Sequence, residues 1–141
     1  MADLDHIGLT VGNLEASIAF YRDVVGMTVQ TSFALENGGF AKLTRNPQAA
    51  IKGAYLRAGA FKLQILEYTA GGGTAQRIRH NNIGSPHMSF GVADVEAKYR
   101  YVQSIAGARI ISDIVEVVPR VRSFYVEDPD GVPVEFFQMT R

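Results

Sequence analysis

Two histidines define the chemistry this sequence can attempt. His6 and His87 lie 81 positions apart (87 − 6), each opening a short alternating stretch, His6–Val11 and His87–Val92. Two oxygen-bearing side chains hold matching places further along. Gln64 stands in Leu63-Gln64-Ile65-Leu66-Glu67, and Glu135 stands in Val134-Glu135-Phe136-Phe137-Gln138. Imidazole and oxygen donors together suit a divalent ion such as Fe, Mn, Co, Ni or Zn, with positions left open for water or substrate. Only Glu135 among the four carries a formal charge, so an ion held by them stays net positive and can stabilise a developing oxyanion. Singly, each residue has a plainer explanation. A histidine beside an apolar strand is usually a hydrogen-bonded packing residue, and a Glu or Gln within a strand usually faces water. The matched places of all four favour a metal.

Those places belong to a repeat. Asp5–Gly26 and Pro86–Gly107 run in register, the same offset pairing Asn13 with Asp94, Glu15 with Glu96 and Gly26 with Gly107. The apolar positions Leu14, Ile18, Tyr21 and Val25 match Val95, Tyr99, Val102 and Ala106. Such self-similarity is the signature of a duplicated structural unit. In each copy a strand alternates, with Ile7, Leu9 and Val11 opposite His6, and Met88, Phe90 and Val92 opposite His87. Asn13 and Asp94 suit helix N-caps, Glu15 and Glu96 favour the first turn, and Gly26 and Gly107 suit the stop. The second helix is expected to run to about Ala106.

The remaining elements follow the same logic. Met27–Leu35 reads as a strand, Glu36–Gly39 as a turn and Phe40–Leu43 as a short strand. Ile51–Arg57 and Phe61–Tyr68 read as a hairpin turning at Ala58–Ala60. Arg109–Val118 and Val121–Glu127 read as strands parted by Pro119. The Asp128–Gly131 turn leads into the last strand, Val132–Met139. The expected organisation is a first module over 4–69, a linker over 70–85 and a second module over 86–141, each β-α-β-β-β. If the aliphatic faces pack beneath the helices, His6, Gln64, His87 and Glu135 all point to the opposite, concave side. His80 lies in the polar linker and reads as a solvated surface residue. Alternation also puts Tyr55, Arg57 and Tyr68 with Gln64, and Tyr125, Phe137 and Met139 with Glu135. These six are candidate substrate contacts, and their aromatic character suits a small, mostly apolar molecule.

Composition narrows the function. Fourteen basic residues balance fourteen acidic ones, which leaves no electrostatic footprint for nucleic acid. The absence of cysteine excludes a disulfide scaffold and a thiolate zinc site, and fits a reducing, cytoplasmic setting. No apolar run is long enough to span a bilayer, and Met1–Asp5 lacks the marks of a signal peptide. The glycine triplet Gly71–Gly73 is not followed by the Gly-Lys-Ser/Thr of a phosphate loop.

The stretches DHIGLTVGNLEASIAFYRDVVGM and YVEDPDGVPVEFF resemble the vicinal oxygen chelate superfamily. That group includes glyoxalase I, methylmalonyl-CoA epimerase, extradiol dioxygenases, fosfomycin-resistance thiol transferases and bleomycin-resistance proteins. The resemblance implies an α+β fold of paired βαβββ modules forming a curled, mostly antiparallel sheet, commonly in a homodimer. It places the family's metal ligands on His6, Gln64, His87 and Glu135, a set most similar to the epimerase. The epimerase's additional acid has no counterpart, since Thr44–Ala50 contains no carboxylate. The resemblance implies a lyase or isomerase that abstracts a proton beside a metal-chelated carbonyl, with Glu135 as the base. Two alternatives share these residues: an Fe(II) ring-cleaving dioxygenase using His6, His87 and Glu135, and a metal-free small-molecule binding protein.

Overall fold

The computed structural model describes residues 1–36 and 38–140. They divide into two compact units, Met1–Ala75 and Gln76–Arg141. Both are α+β, as expected. No helix among the described residues is long and apolar enough to cross a membrane.

The first unit carries a sheet in the order β1-β4-β3-β2, built from β1 (Ile7–Thr10), β2 (Thr28–Leu35), β3 (Ala50–Ala58) and β4 (Phe61–Ala70). β1 and β4 are parallel; the other pairs are antiparallel. Helix α1 (Leu14–Ala19) packs on β3 and β4. Asn13 caps it, its Oδ1 accepting from the Ala16 N–H at 2.9 Å. The helix widens into a π-helical segment, Phe20–Val25, that buries Tyr21 completely. Gly26 ends it at φ 97°, a left-handed conformation that glycine adopts without a Cβ penalty. Beneath the helix lie Leu56, Leu63 and Ile65, all without solvent exposure. Burying each stabilises the fold by about 1.5–3 kcal/mol.

The second unit repeats the plan with β5 (Met88–Gly91), β9 (Pro133–Met139) and β8 (Val121–Glu127) in sequence across the sheet. Both β6 (Arg109–Ile110) and β7 (Val115–Val118) pair with β8. β5 and β9 are parallel. Helix α3 (Val95–Gln103) packs on β8 and β9, and Asp94 Oδ1 accepts the Ala97 N–H at 2.9 Å. The Asp128–Gly131 turn closes on Asp128 Oδ1, which accepts from the N–H groups of Asp130 and Val132.

Three local expectations are corrected. Gly38–Thr44 forms a helix, α2, where Phe40–Leu43 reads as a strand. Thr44 Oγ1 donates back to the Phe40 carbonyl at 2.9 Å, closing a turn that alternation alone does not reveal. Asn37, within the expected Glu36–Gly39 turn, lies outside the described residues. The span Arg109–Val118 splits into β6 and β7, because Ser112 leaves the ladder and its Oγ accepts the Tyr125 N–H at 3.2 Å. α3 ends at Gln103 rather than near Ala106, and Gly107 then turns the chain at φ 80°.

Candidate functional site

Each unit places an imidazole and an oxygen donor by the same strand register. In the first, Gly8 on β1 lies beside Gln64 on β4, and Tyr55 on β3 pairs with Gln64 from the other side. In the second, Ser89 on β5 lies beside Glu135 on β9, and Tyr125 on β8 pairs with Glu135. His6 and His87 stand two residues before Gly8 and Ser89, hence on the same faces. The flanking residues Leu63, Ile65, Val134 and Phe136 are fully buried, whereas Gln64 and Glu135 are half-buried. The polar side chains therefore occupy the sheet faces turned away from the helices.

In the first unit, Gln64 Nε2 donates to the Tyr55 hydroxyl at 2.6 Å, so the atom Gln64 presents is Oε1. Gly8 lies alongside that oxygen: a Cβ there would stand 3.4 Å from Gln64 Oε1, an ordinary contact distance. The His6 ring meets the Tyr55 ring edge-on with centroids 5.5 Å apart. His6 Nδ1 bonds Asp5 Oδ2 at 2.7 Å, and Lys62 Nζ donates to Asp5 Oδ1 at 2.8 Å. These two hydrogen bonds hold the exposed Asp5 carboxyl below its usual pKa. An imidazole whose Nδ1 is engaged by a carboxylate offers Nε2 as its donor atom.

In the second unit, Glu135 is gripped from both neighbouring strands. Ser89 Oγ donates to Oε2 and Ser123 Oγ donates to Oε1, each at 2.5 Å. Burial raises the Tyr125 phenol above its usual pKa, and the charge and hydrogen bonding of Glu135 raise it further. Tyr125 is thus held protonated beside a carboxylate. Among the described residues no carboxylate joins His87; its neighbour is a second imidazole. The His80 ring lies 4.9 Å from it, centroid to centroid, and meets Tyr125 edge-on at 5.4 Å. His80 is exposed, in keeping with its reading as a solvated residue, yet that reading missed its place beside His87. Only its type, in a stretch leading to Pro86-His87, could have signalled this.

The other candidate contacts sort by distance along the strands. Tyr68 shares the Gln64 face but turns its ring toward Phe40 on α2, at 6.2 Å. Arg57 lies at the hairpin end, exposed, and donates to the Gly59 carbonyl. Phe137 shares the Glu135 face and covers Gly91. Met139, at the end of β9, is 69% exposed. Of the six, Tyr55 and Tyr125 are the two that interact with an oxygen donor, Gln64 and Glu135 respectively.

Among the described residues, no group of three or more His, Cys, Asp or Glu side chains is gathered to hold a metal ion. Each unit supplies two donors of a kind that a divalent ion accepts: an imidazole with the amide oxygen of Gln64, and another with the carboxylate of Glu135. The donor chemistry fits such an ion.

Known proteins resemble this chain over nearly its whole length. The model of the Glyoxalase/Bleomycin resistance protein/Dioxygenase superfamily matches residues 3–136. A 2-epi-5-epi-valiolone epimerase from Actinomyces sp is 26% identical over 142 aligned positions, covering 95% of this chain and 78% of that protein. In structure, a glyoxalase family protein from Bacillus cereus superposes with a TM-score of 0.89 at 15% identity, over 100% of this chain and 96% of the other. The fosfomycin resistance protein FosX from Listeria monocytogenes gives 0.70 at 20% identity, over 99% of this chain and 95% of the other.

Proposed function

Because this chain belongs to the glyoxalase/bleomycin resistance/dioxygenase superfamily, we propose that it is a metal-dependent isomerase or lyase that moves a proton at a carbon next to a carbonyl. In this reading His6, Gln64, His87 and Glu135 are the metal ligands, and the protein works on a small molecule as a homodimer. The observation that carries the reading is Glu135 itself: a carboxylate held by two serine hydroxyls, with Tyr125 paired to it on the neighbouring strand. The likeness to a protein named as an epimerase supports the same branch, since a centre beside a carbonyl epimerises when its proton leaves and returns.

When bound, a divalent ion would polarise a substrate carbonyl and disperse negative charge. The chain's own residues do the rest. Glu135 Oε1 or Oε2 takes the proton from carbon, and its two serine hydroxyls keep the carboxylate in place while it does so. Tyr125 presents a neutral hydroxyl that can donate to an oxygen gaining charge. Tyr55 fixes the Gln64 amide so that its oxygen, not its nitrogen, faces outward. The Tyr55 and Tyr125 rings supply apolar surface for the substrate's carbon skeleton.

The test is hydrogen exchange. The protein, loaded in turn with Co, Ni, Mn and Zn, is incubated in D2O with a panel of small 2-hydroxyketones and hemithioacetals. The expected result is deuterium at the carbon beside the carbonyl, read by NMR and lost in Glu135→Gln. No exchange with any metal, or oxygen uptake with catechols and Fe(II) instead, overturns the reading.

A further inference from the structure

We propose that Ser89 and Ser123 are positioning residues that lock the Glu135 carboxylate into one orientation; the inference rests on Glu135 being the proton-moving, metal-binding acid. The geometry points this way from several sides. Glu135 sits on β9 between two strands, and each strand contributes one hydroxyl. Ser89 on β5 is its direct neighbour in the parallel register and serves Oε2; Ser123 on β8 is diagonal to it and serves Oε1. One oxygen, one serine, from opposite sides: rotation about the Glu135 Cα–Cβ or Cβ–Cγ bond carries both oxygens away and breaks both contacts together. Each oxygen still keeps a lone pair for a proton or a metal.

Ser123 is 3% exposed. A buried hydroxyl without a partner is costly, and Glu135 is the partner it has, so the serine and the carboxylate constrain each other. The first unit shows that the framework does not itself demand hydroxyls there. The positions that pair in the same way around Gln64 are Gly8 and Gly53. The hydroxyls accompany the acid, and they are absent where the slot holds an amide. A side chain that must accept and release a proton at a fixed point gains from such a grip, because small misplacements of a reacting group cost large factors in rate.

The test uses metal-free protein first. Three-bond couplings across the Glu135 Cα–Cβ and Cβ–Cγ bonds should report a single rotamer in the wild type and averaged rotamers in the Ser89→Ala/Ser123→Ala double variant. Ser89→Ala alone, at an exposed site, keeps the experiment informative should the double variant fold poorly, and Ser89→Thr should restore the wild-type couplings. Averaged couplings in the wild type, or a single rotamer that persists without the hydroxyls, overturn the inference. Co(II) titration then reads the consequence: affinity should fall by about 10–100-fold in the double variant and recover in Ser89→Thr. Unchanged affinity overturns the inference. A wild type that binds no Co(II) at all sinks the proposed function instead, and leaves the couplings to decide whether the serines hold Glu135.

Discussion

Gln64 and Glu135 occupy one slot in a duplicated framework, and almost everything around them differs. Gln64 stands between glycines, Gly8 on the parallel neighbour and Gly53 on the antiparallel one; Glu135 stands between serines in the same two registers. His6 leans on Asp5 and through it on Lys62, whereas His87 leans on His80. The tyrosines are shared: Tyr55 faces Gln64 as Tyr125 faces Glu135. The contrast separates what the repeat supplies from what each copy has specialised. The strand registers fix where donors stand. The neighbours decide whether the donor is a neutral amide held by a phenol or a charged carboxylate held by hydroxyls. Under the proposed function, the first of these donors holds and the second reacts.

The largest effect should come from erasing that distinction. Glu135→Gln gives the second unit the amide that the first unit has in this slot. It should cost about 10²–10⁴-fold in turnover, as loss of a general base does, with folding preserved because the amide oxygen can still accept from Ser89 or Ser123. Deuterium exchange into the substrate measures it. A variant that keeps near-wild-type exchange would show that the two halves are chemically equivalent after all.

Packing distinguishes the halves next. A Cβ at Gly53 would stand 2.6 Å from the Phe33 ring and 2.7 Å from the Ile65 carbonyl oxygen. The corresponding position in the second unit already holds Ser123, so a side chain fits there. Gly53→Ala should therefore destabilise the protein by about 1–3 kcal/mol through overpacking, while Ser123→Ala removes atoms rather than adding them. Urea unfolding separates the two; an unchanged midpoint for Gly53→Ala would mean that Phe33 yields its place without cost.

Both units are legible in the sequence where local chemistry and global register agree. Asn13 and Asp94 announce their helices because a cap is a short-range device: each oxygen reaches an N–H three residues away. The hairpin around Gly59, with φ 57°, and the turn at Asp128–Gly131 are local in the same sense. The alternation that set Gln64 and Glu135 opposite the buried aliphatic face is equally local, and correct. What stayed hidden depends on residues far apart in the chain. Nothing near Glu135 says that Ser89 and Ser123, 46 and 12 positions away, will bond its two oxygens. Nothing near His80 says that its ring will lie against His87. The helix α2 was missed for another reason: Phe40–Leu43 is too short for periodicity to tell helix from strand.

The caps give the next comparison. Asn13→Ala and Asp94→Ala each remove one acceptor for a helix N–H, a loss of about 0.5–2 kcal/mol. Asp94→Ala should be the more costly, since its charge also favours the positive end of α3. Thermal melts of the two single variants decide the order. Equal losses would mean that only the hydrogen bond counts.

The smallest effect is the most selective. Each helix has a second acceptor, borrowed from the last strand of its own unit. Glu67 Oε2 takes the Leu14 N–H at 2.6 Å, and Gln138 Oε1 takes the Val95 N–H at 3.1 Å. The hydrogen bond from Leu14 lowers the Glu67 pKa below its ordinary 4.5, and Lys52, 3.2 Å away, lowers it further. A carboxyl group whose pKa is lower in the folded state stabilises that state fully above the unfolded value and loses the contribution as pH falls through the folded one. The first unit should thus weaken with acid below about pH 4.5 at a point where the second, with an amide, does not. Glu67→Gln imports the second unit's solution. The variant should be slightly less stable than wild type near pH 7, and the gap should close as the pH drops past the Glu67 titration. Urea midpoints taken between pH 7 and pH 3 give the curve for each protein. Two parallel curves would show that the carboxylate contributes nothing at this helix end that an amide cannot.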